Sequence, residues 1–223
     1  EIQHNWIEVT GPHEYRALAL YGFDTSTQAS LDAPIHHDVM GNVLIVDAAT
    51  SSANAVVRVG SDRTAGDNHA NTHGRARFVN NTVVVNGGTG VPVLWFFGRP
   101  EGAMAFNNLV VAPGGGAVTF MKEGSGSDLR WAAADAKARV MASHNVLPPG
   151  SHVLTLRTGA SLGMNDAAPA GYDWSSWIGA SNPLPTLTSV RPPNEAALRL
   201  PPTSLLRGGG TTMTNPARHP FES

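Results

Sequence analysis

Short runs of branched apolar residues recur along the chain, and each is entered through an asparagine. Asn5 precedes Trp6-Ile7-Glu8-Val9, Asn42 precedes Val43-Leu44-Ile45-Val46, and Asn81 precedes Thr82-Val83-Val84-Val85. Asn108 then precedes Leu109-Val110-Val111, and Asn145 precedes Val146-Leu147. Successive asparagines are between 27 and 39 residues apart, a period typical of stacked repeats whose insertions fall in loops. A second piece comes just before the turn, as in Arg77-Phe78-Val79 and Met104-Ala105-Phe106. A third follows it: Arg16 to Leu20, Ala55 to Val59, Val91 to Phe97, Ala117 to Met121 and His152 to Leu156. Runs this short and this β-branched predict strands rather than helices.

No single run can bury both of its faces, but stacked copies can. Parallel strands about 4.8 Å apart satisfy one another's backbone groups, and asparagines at equivalent turns can form a side-chain amide ladder along the stack. Five copies predict a stem of roughly 24 Å. An antiparallel sandwich would also have short strands and Gly-rich turns, yet it gives asparagine no reason to recur before each strand. One helix is expected between repeats, from Ser127 through an Ala-rich body to Met141, where Ser127 or Asp128 can cap.

The segments Phe78-Val79-Asn80-Asn81-Thr82-Val83-Val84 and Ala105-Phe106-Asn107-Asn108-Leu109-Val110-Val111 resemble the repeat of bacterial right-handed parallel β-helix proteins of the pectate-lyase-like superfamily. The resemblance covers residues 2 to 158 and implies an all-β fold, a right-handed parallel β-helix of about five coils. Residues 159–223 are expected to be an irregular C-terminal tail packed along or over the end of the stem, with Glu195-Ala196-Ala197-Leu198-Arg199-Leu200 as a worn closing coil. The superfamily includes polysaccharide lyases, glycoside hydrolases, epimerases, adhesins and phage tailspikes. The resemblance therefore implies contact with carbohydrate, and export to a secreted or periplasmic location, more readily than any one reaction.

Composition agrees with a turn-rich architecture: the chain has 24 Gly, 16 Pro and 41% hydrophobic residues, enough for a continuous core. A formal net charge of -2 supplies no global field to attract nucleic acid or anionic lipid. No cysteine is present, which excludes disulfides and zinc-thiolate sites. No apolar run approaches the roughly 18 residues of a membrane helix, so no span is expected. The opening Glu1-Ile2-Gln3-His4-Asn5 reads as the start of a mature or truncated fragment that enters within a coil.

Solenoids place binding residues on loops leaving one face, because insertions there do not disturb the stack. Polar residues here gather after the third piece of each repeat: Asp24; Ser61-Asp62-Arg63 with Asp67, His69 and His73; Arg99 and Glu101; Lys122 and Glu123; and Arg157. Cations interleaved with carboxylates suit an acidic, uronic-acid polymer, and lyase chemistry adds a base that removes the proton beside the substrate carboxylate. By the resemblance, Arg63, Lys122 and His69 are the catalytic candidates. Arg99 and Arg157 are the carboxylate-binding candidates, and Asp62 and Asp67 are hard oxygen ligands for calcium. Trp174 and Trp177 can either stack on sugar or cover an exposed apolar end.

Other polar signals have ordinary structural explanations. His69 and His73 are four apart, but Asp67 to Gly74 reads as a loop, so the spacing does not argue for zinc. His36-His37-Asp38 is expected to be a polar turn, and His4 and His144 occupy equivalent turn positions. Asn80-Asn81-Thr82 formally matches a glycosylation acceptor inside a repeat turn. No Walker loop, dinucleotide fingerprint, nucleophile elbow or zincin motif is present.

The leading expectation is an exported carbohydrate-active protein acting on an acidic polysaccharide, with β-elimination as the first reaction to test. The alternatives are a noncatalytic glycan-binding adhesin or structural stem, and the noncatalytic end of a larger β-helix enzyme.

Overall fold

The computed structural model describes residues 1–13, 15–20, 37–60, 75–87, 91–97, 102–113, 116–124, 140–169, 172–175 and 198. Its strands fall into three open sheets. The first contains β1 (Ile2–Gln3), β4 (His37–Met40), β7 (Arg75–Val79), β10 (Gly102–Phe106), β13 (Val140–Ser143) and β16 (Tyr172–Ser175), stacked in that order. The second stacks β2 (Trp6–Val9), β5 (Val43–Asp47), β8 (Thr82–Asn86) and β11 (Leu109–Val111). The third stacks β3 (Leu18–Leu20), β6 (Val57–Val59), β9 (Pro92–Phe96), β12 (Thr119–Glu123), β14 (His152–Thr155) and β15 (Ser161–Leu162).

Through most of its length the chain visits the three sheets in cyclic order, and neighbouring strands are parallel throughout except for the short β14–β15 pair. This arrangement rules out the antiparallel sandwich and is consistent with a β-helix solenoid. The fifth copy is weaker than its pattern predicts: Asn145 leads into a single parallel bridge from Val146 to Leu109 rather than a strand. The expected helix does not reach Met141, because Val140–Ser143 is strand β13 in register with β10. The rest of that segment lies outside the described residues.

The recurring asparagines form one continuous ladder at the turn between the first and second sheets. The Oδ1 of Asn42 accepts both the backbone N–H (2.9 Å) and the Nδ2 (3.0 Å) of Asn5. Asn81, Asn108 and Asn145 repeat the arrangement with the rung before them. Each Nδ2 of Asn42, Asn81, Asn108 and Asn145 also donates to a carbonyl of the preceding rung: Ile2, Val39, Phe78 and Ala105 respectively. The residue just before each ladder asparagine has left-handed backbone: His4, Gly41, Asn80, Asn107 and His144, with φ between 53° and 65°. That conformation turns the corner, and Asn, His and Gly tolerate it better than branched residues do.

Rows of aligned residues fill the interior. Leu18, Val57, Leu94, Met121 and Leu154 form one, and Leu20, Val59 and Phe96 another. From the first sheet come Val39, Phe78, Ala105 and Ala142. The first sheet runs on beyond residue 158, because Tyr172–Ser175, expected to be irregular, pairs with β13 as strand β16. This extends two inner rows, with Tyr172 following Val140 and Trp174 following Ala142. In the tail, Leu198 packs on the outer face of the second sheet against Ile45 and Val84; the rest of Glu195 to Leu200 lies outside the described residues.

His37 and Asp38 are not a turn but part of β4, where the Asp38 carboxylate makes a two-point ion pair with Arg77 on the next strand.

Candidate functional site

The outward row of the third sheet carries the chemistry. Because Leu94 and Phe96 point into the core, period-two alternation turns the residue between them to the surface. Register then aligns Ala19, Arg58, Trp95, Lys122 and Thr155 across successive strands. The Lys122 ammonium rests 4.7 Å from the centre of the Trp95 ring. Arg58 lies 4.1 Å over Phe97, whose ring sits 4.4 Å from that of Trp95. Ring faces carry negative potential, so each ring helps to hold the cation that rests on it. Among the described residues Lys122 has no carboxylate partner, in contrast to Arg77, which is paired with Asp38.

Beside this row a groove of about 620 Å³ lies where the chain passes from the second sheet to the third. Val85, Ala112, Pro113 and Ala117 give it apolar walls, and Lys122, Thr119, His152, Thr155 and Ser161 give it polar ones. The β14–β15 pairing sets Ser161 opposite Thr155, and their hydroxyls are 3.0 Å apart. Hydroxyls that can donate or accept, an imidazole and an ammonium are suited to an anion that also carries hydroxyl groups. The apolar walls suit the C–H faces of a sugar ring.

Only part of the polar stripe expected from the sequence can be placed. Lys122 stands on the strand rather than on a loop after it. Arg157 is exposed just past β14, and its backbone N–H donates to Glu123 Oε2 at 2.8 Å. Glu123 Oε1 also accepts from the Tyr172 hydroxyl at 3.0 Å, so this carboxylate ties β12 to β16 at the end of the core. Trp174 is packed against the core and donates its indole N–H to the Asp166 carbonyl at 3.2 Å. Arg63, His69, Asp62, Asp67, Arg99 and Trp177 lie outside the described residues, as do His36 and His73. The segments that carry Arg63, His69, Asp62 and Asp67, and then Arg99, join the stack at Gly60 and Phe97. These attachment points are neighbours: the Phe97 N–H donates to the Val59 carbonyl, and the Gly124 N–H to the Phe96 carbonyl.

Trp95, His152, Thr155 and Ser161 were not singled out from the sequence. Three of the outward positions nevertheless have a signal: Val93-Leu94-Trp95, Phe120-Met121-Lys122 and Val153-Leu154-Thr155 each place one non-aliphatic residue after two apolar ones. Val56-Val57-Arg58 has the same form. Ser161 reaches the groove only through the fold-back of β15. Comparison of the chain with protein-family models, with curated proteins and with solved structures finds no match.

Proposed function

We propose that this chain belongs to an exported right-handed parallel β-helix of the pectate-lyase-like kind, with about five coils here, and that it binds an acidic polysaccharide beside its third sheet. The observation that supports this most is Lys122: an ammonium held on an indole face, without a carboxylate partner among the described residues, at a groove that Thr119, Thr155 and Ser161 also line. A substrate carboxylate would supply a counter-charge to it. A hydrogen bond to a charged group contributes about 1.5–3 kcal/mol, so removing it should weaken binding roughly tenfold to a hundredfold.

β-Elimination remains the reaction to test first, because the segments bearing Arg63, His69 and Arg99 attach next to one another on the same edge of the third sheet. Titration of the protein with polygalacturonate, alginate and glycosaminoglycans, set against neutral glycans, tests binding. The absorbance of unsaturated product, followed with and without calcium, tests elimination. Binding of an acidic polymer that weakens in Lys122→Gln and in high salt supports the proposal, and product formation would add catalysis to it. Equal affinity for neutral and acidic polymers, or no effect of Lys122→Gln, would overturn it.

A further inference from the structure

The indole N–H of Trp95 is buried and has no acceptor among the described residues. Indole nitrogens that are buried usually find one. The other described tryptophans both do: Trp6 donates to Glu8 Oε1 at 2.7 Å, and Trp174 to the Asp166 carbonyl at 3.2 Å. An unmet buried donor weakens the folded chain. Here it stands on the outward row of the third sheet, beside the groove, rather than in the core.

The surroundings of Trp95 explain why no acceptor is at hand. Register sets Arg58 on one side of it and Lys122 on the other, and both of those side chains can only donate. The Lys122 ammonium lies 4.7 Å from the ring centre, and the Phe97 ring, 4.4 Å away on the other contact, carries no oxygen. The carboxylate of Glu123, next to Lys122 in the chain, is engaged by the Tyr172 hydroxyl and the Arg157 N–H. Three successive outward positions thus bring donors together without an acceptor among their own side chains. Trp95 is only half-buried as a residue, so part of its ring meets solvent.

Taking an acidic polymer as the ligand, as proposed above, we infer that Trp95 reads it: the indole N–H and the Lys122 ammonium donate to the two oxygens of one ligand carboxylate. The ammonium supplies charge, and the indole supplies direction. An ammonium turns freely on a flexible stem, whereas the indole N–H is fixed in the plane of its ring. The same flexibility lets an incoming carboxylate draw the ammonium off the ring face and settle at the edge that bears the N–H. A donor bathed in water would exchange one hydrogen bond for another on binding. The Trp95 N–H gives up none, so the new bond counts in full toward affinity. It is therefore a liability in the free protein and a contact in the complex, the reverse of a packing residue.

Replacing Trp95 by benzothienylalanine keeps the shape of the indole and puts sulfur in place of the N–H; Trp95→Phe is the encoded companion. Calorimetry with polygalacturonate, alginate and a glycosaminoglycan as probes compares the parent, both variants, Lys122→Gln and the double variant Trp95→Phe with Lys122→Gln. The isostere should bind about tenfold or more weakly than the parent, with a urea midpoint no lower. The double variant should lose less affinity than the two single losses multiplied, because both donors serve one carboxylate. In protein carrying isotope-labelled tryptophan, the indole resonance that Trp95→Phe removes should shift as polymer is added, along the same saturation curve as binding. Unchanged affinity in the isostere, or an indole resonance that stays put while polymer binds, would overturn the inference and leave the acidic-polymer reading standing. So would an isostere that unfolds well below the parent's urea midpoint, since the N–H would then be partnered in the free protein. A parent that binds none of the three probes would overturn the reading of the groove itself, and this inference with it.

Discussion

Replacing Asn108 with alanine removes the middle of the ladder, and the cost can be worked from its four hydrogen bonds. The Asn81 backbone N–H (2.9 Å) and its Nδ2 (3.1 Å) both lose the Asn108 oxygen. The Phe78 carbonyl loses a donor at 2.8 Å, and Asn145 Oδ1 loses one of its two, also at 2.8 Å. Asn81, Asn108 and Asn145 are at most 1% exposed, so water cannot replace what is lost. A buried polar group left unsatisfied costs about 1–3 kcal/mol. With the Asn81 N–H fully orphaned and the other groups partly so, the total comes to about 3–5 kcal/mol. That is a large share of the roughly 5–15 kcal/mol that holds a typical domain together. Asn5→Ala makes the control, because Asn5 is exposed and Asn42 Oδ1 keeps the Asn5 backbone N–H; it should cost less than about 1 kcal/mol. Urea denaturation followed by circular dichroism, with linear extrapolation, measures both. The double variant Asn81→Ala with Asn108→Ala should cost less than the sum of the singles, because each removes a partner of the other. Equal destabilisation by Asn108→Ala and Asn5→Ala would refute the ladder as a source of stability.

Gly60→Ala should abolish folding or cost more than about 3 kcal/mol, since the new Cβ would lie 1.9 Å from the Phe97 carbonyl oxygen at a φ of +86°. Gly116→Ala, with nothing within 4 Å of its Cβ, should leave stability unchanged or raise it by up to about 1 kcal/mol in the same denaturation assay. Leu198→Ala should destabilise by about 2 kcal/mol or more and increase binding of a hydrophobic dye, because Leu198 covers Ile45 and Val84 on the outer face of the second sheet. Glu123→Ala should cost about 1–3 kcal/mol in thermal melting, because both the Tyr172 hydroxyl and the Arg157 N–H lose their acceptor, whereas Glu123→Gln should cost less, since its amide oxygen can accept from the Arg157 N–H while its NH2 donates to the Tyr172 hydroxyl oxygen.

The sequence carried the repeating features of the fold more clearly than the features that close it. Asparagine before each branched run was legible because the same hydrogen bonds are made at every turn, so the same residue recurs. The third pieces were legible because their inner rows need apolar residues, although the strands are shorter than the patterns, as with Leu18–Leu20 inside Arg16 to Leu20. Tyr172–Ser175 was not legible as a strand, because a terminal strand pairs on one side and its aromatic residues resemble a capping loop. Leu198 could not be placed, because a lone leucine says nothing about which sheet it will cover. Lys122 was found from its charge, but Trp95, which holds it, was not, because the contact depends on a register between strands 27 residues apart in sequence.

The architecture separates what stabilises the protein from what it can bind. Inner rows and ladder asparagines are shared between rungs, so a change at one position removes partners from two others. The outward row of the third sheet is different: Lys122 and Thr155 take part in the stack through their backbones, while their side chains face the groove. Parallel pairing holds those side chains about 4.8 Å apart from rung to rung, whatever their chemical nature. A substitution such as Lys122→Gln should therefore alter the ligand and leave the stack intact, whereas Asn108→Ala should do the reverse at low denaturant, weakening the fold while leaving the native groove able to bind. Measuring stability and polymer affinity for both variants tests this separation directly. Loss of affinity in Asn108→Ala under conditions where it is fully folded would show that the ladder positions the groove as well as holding the rungs together.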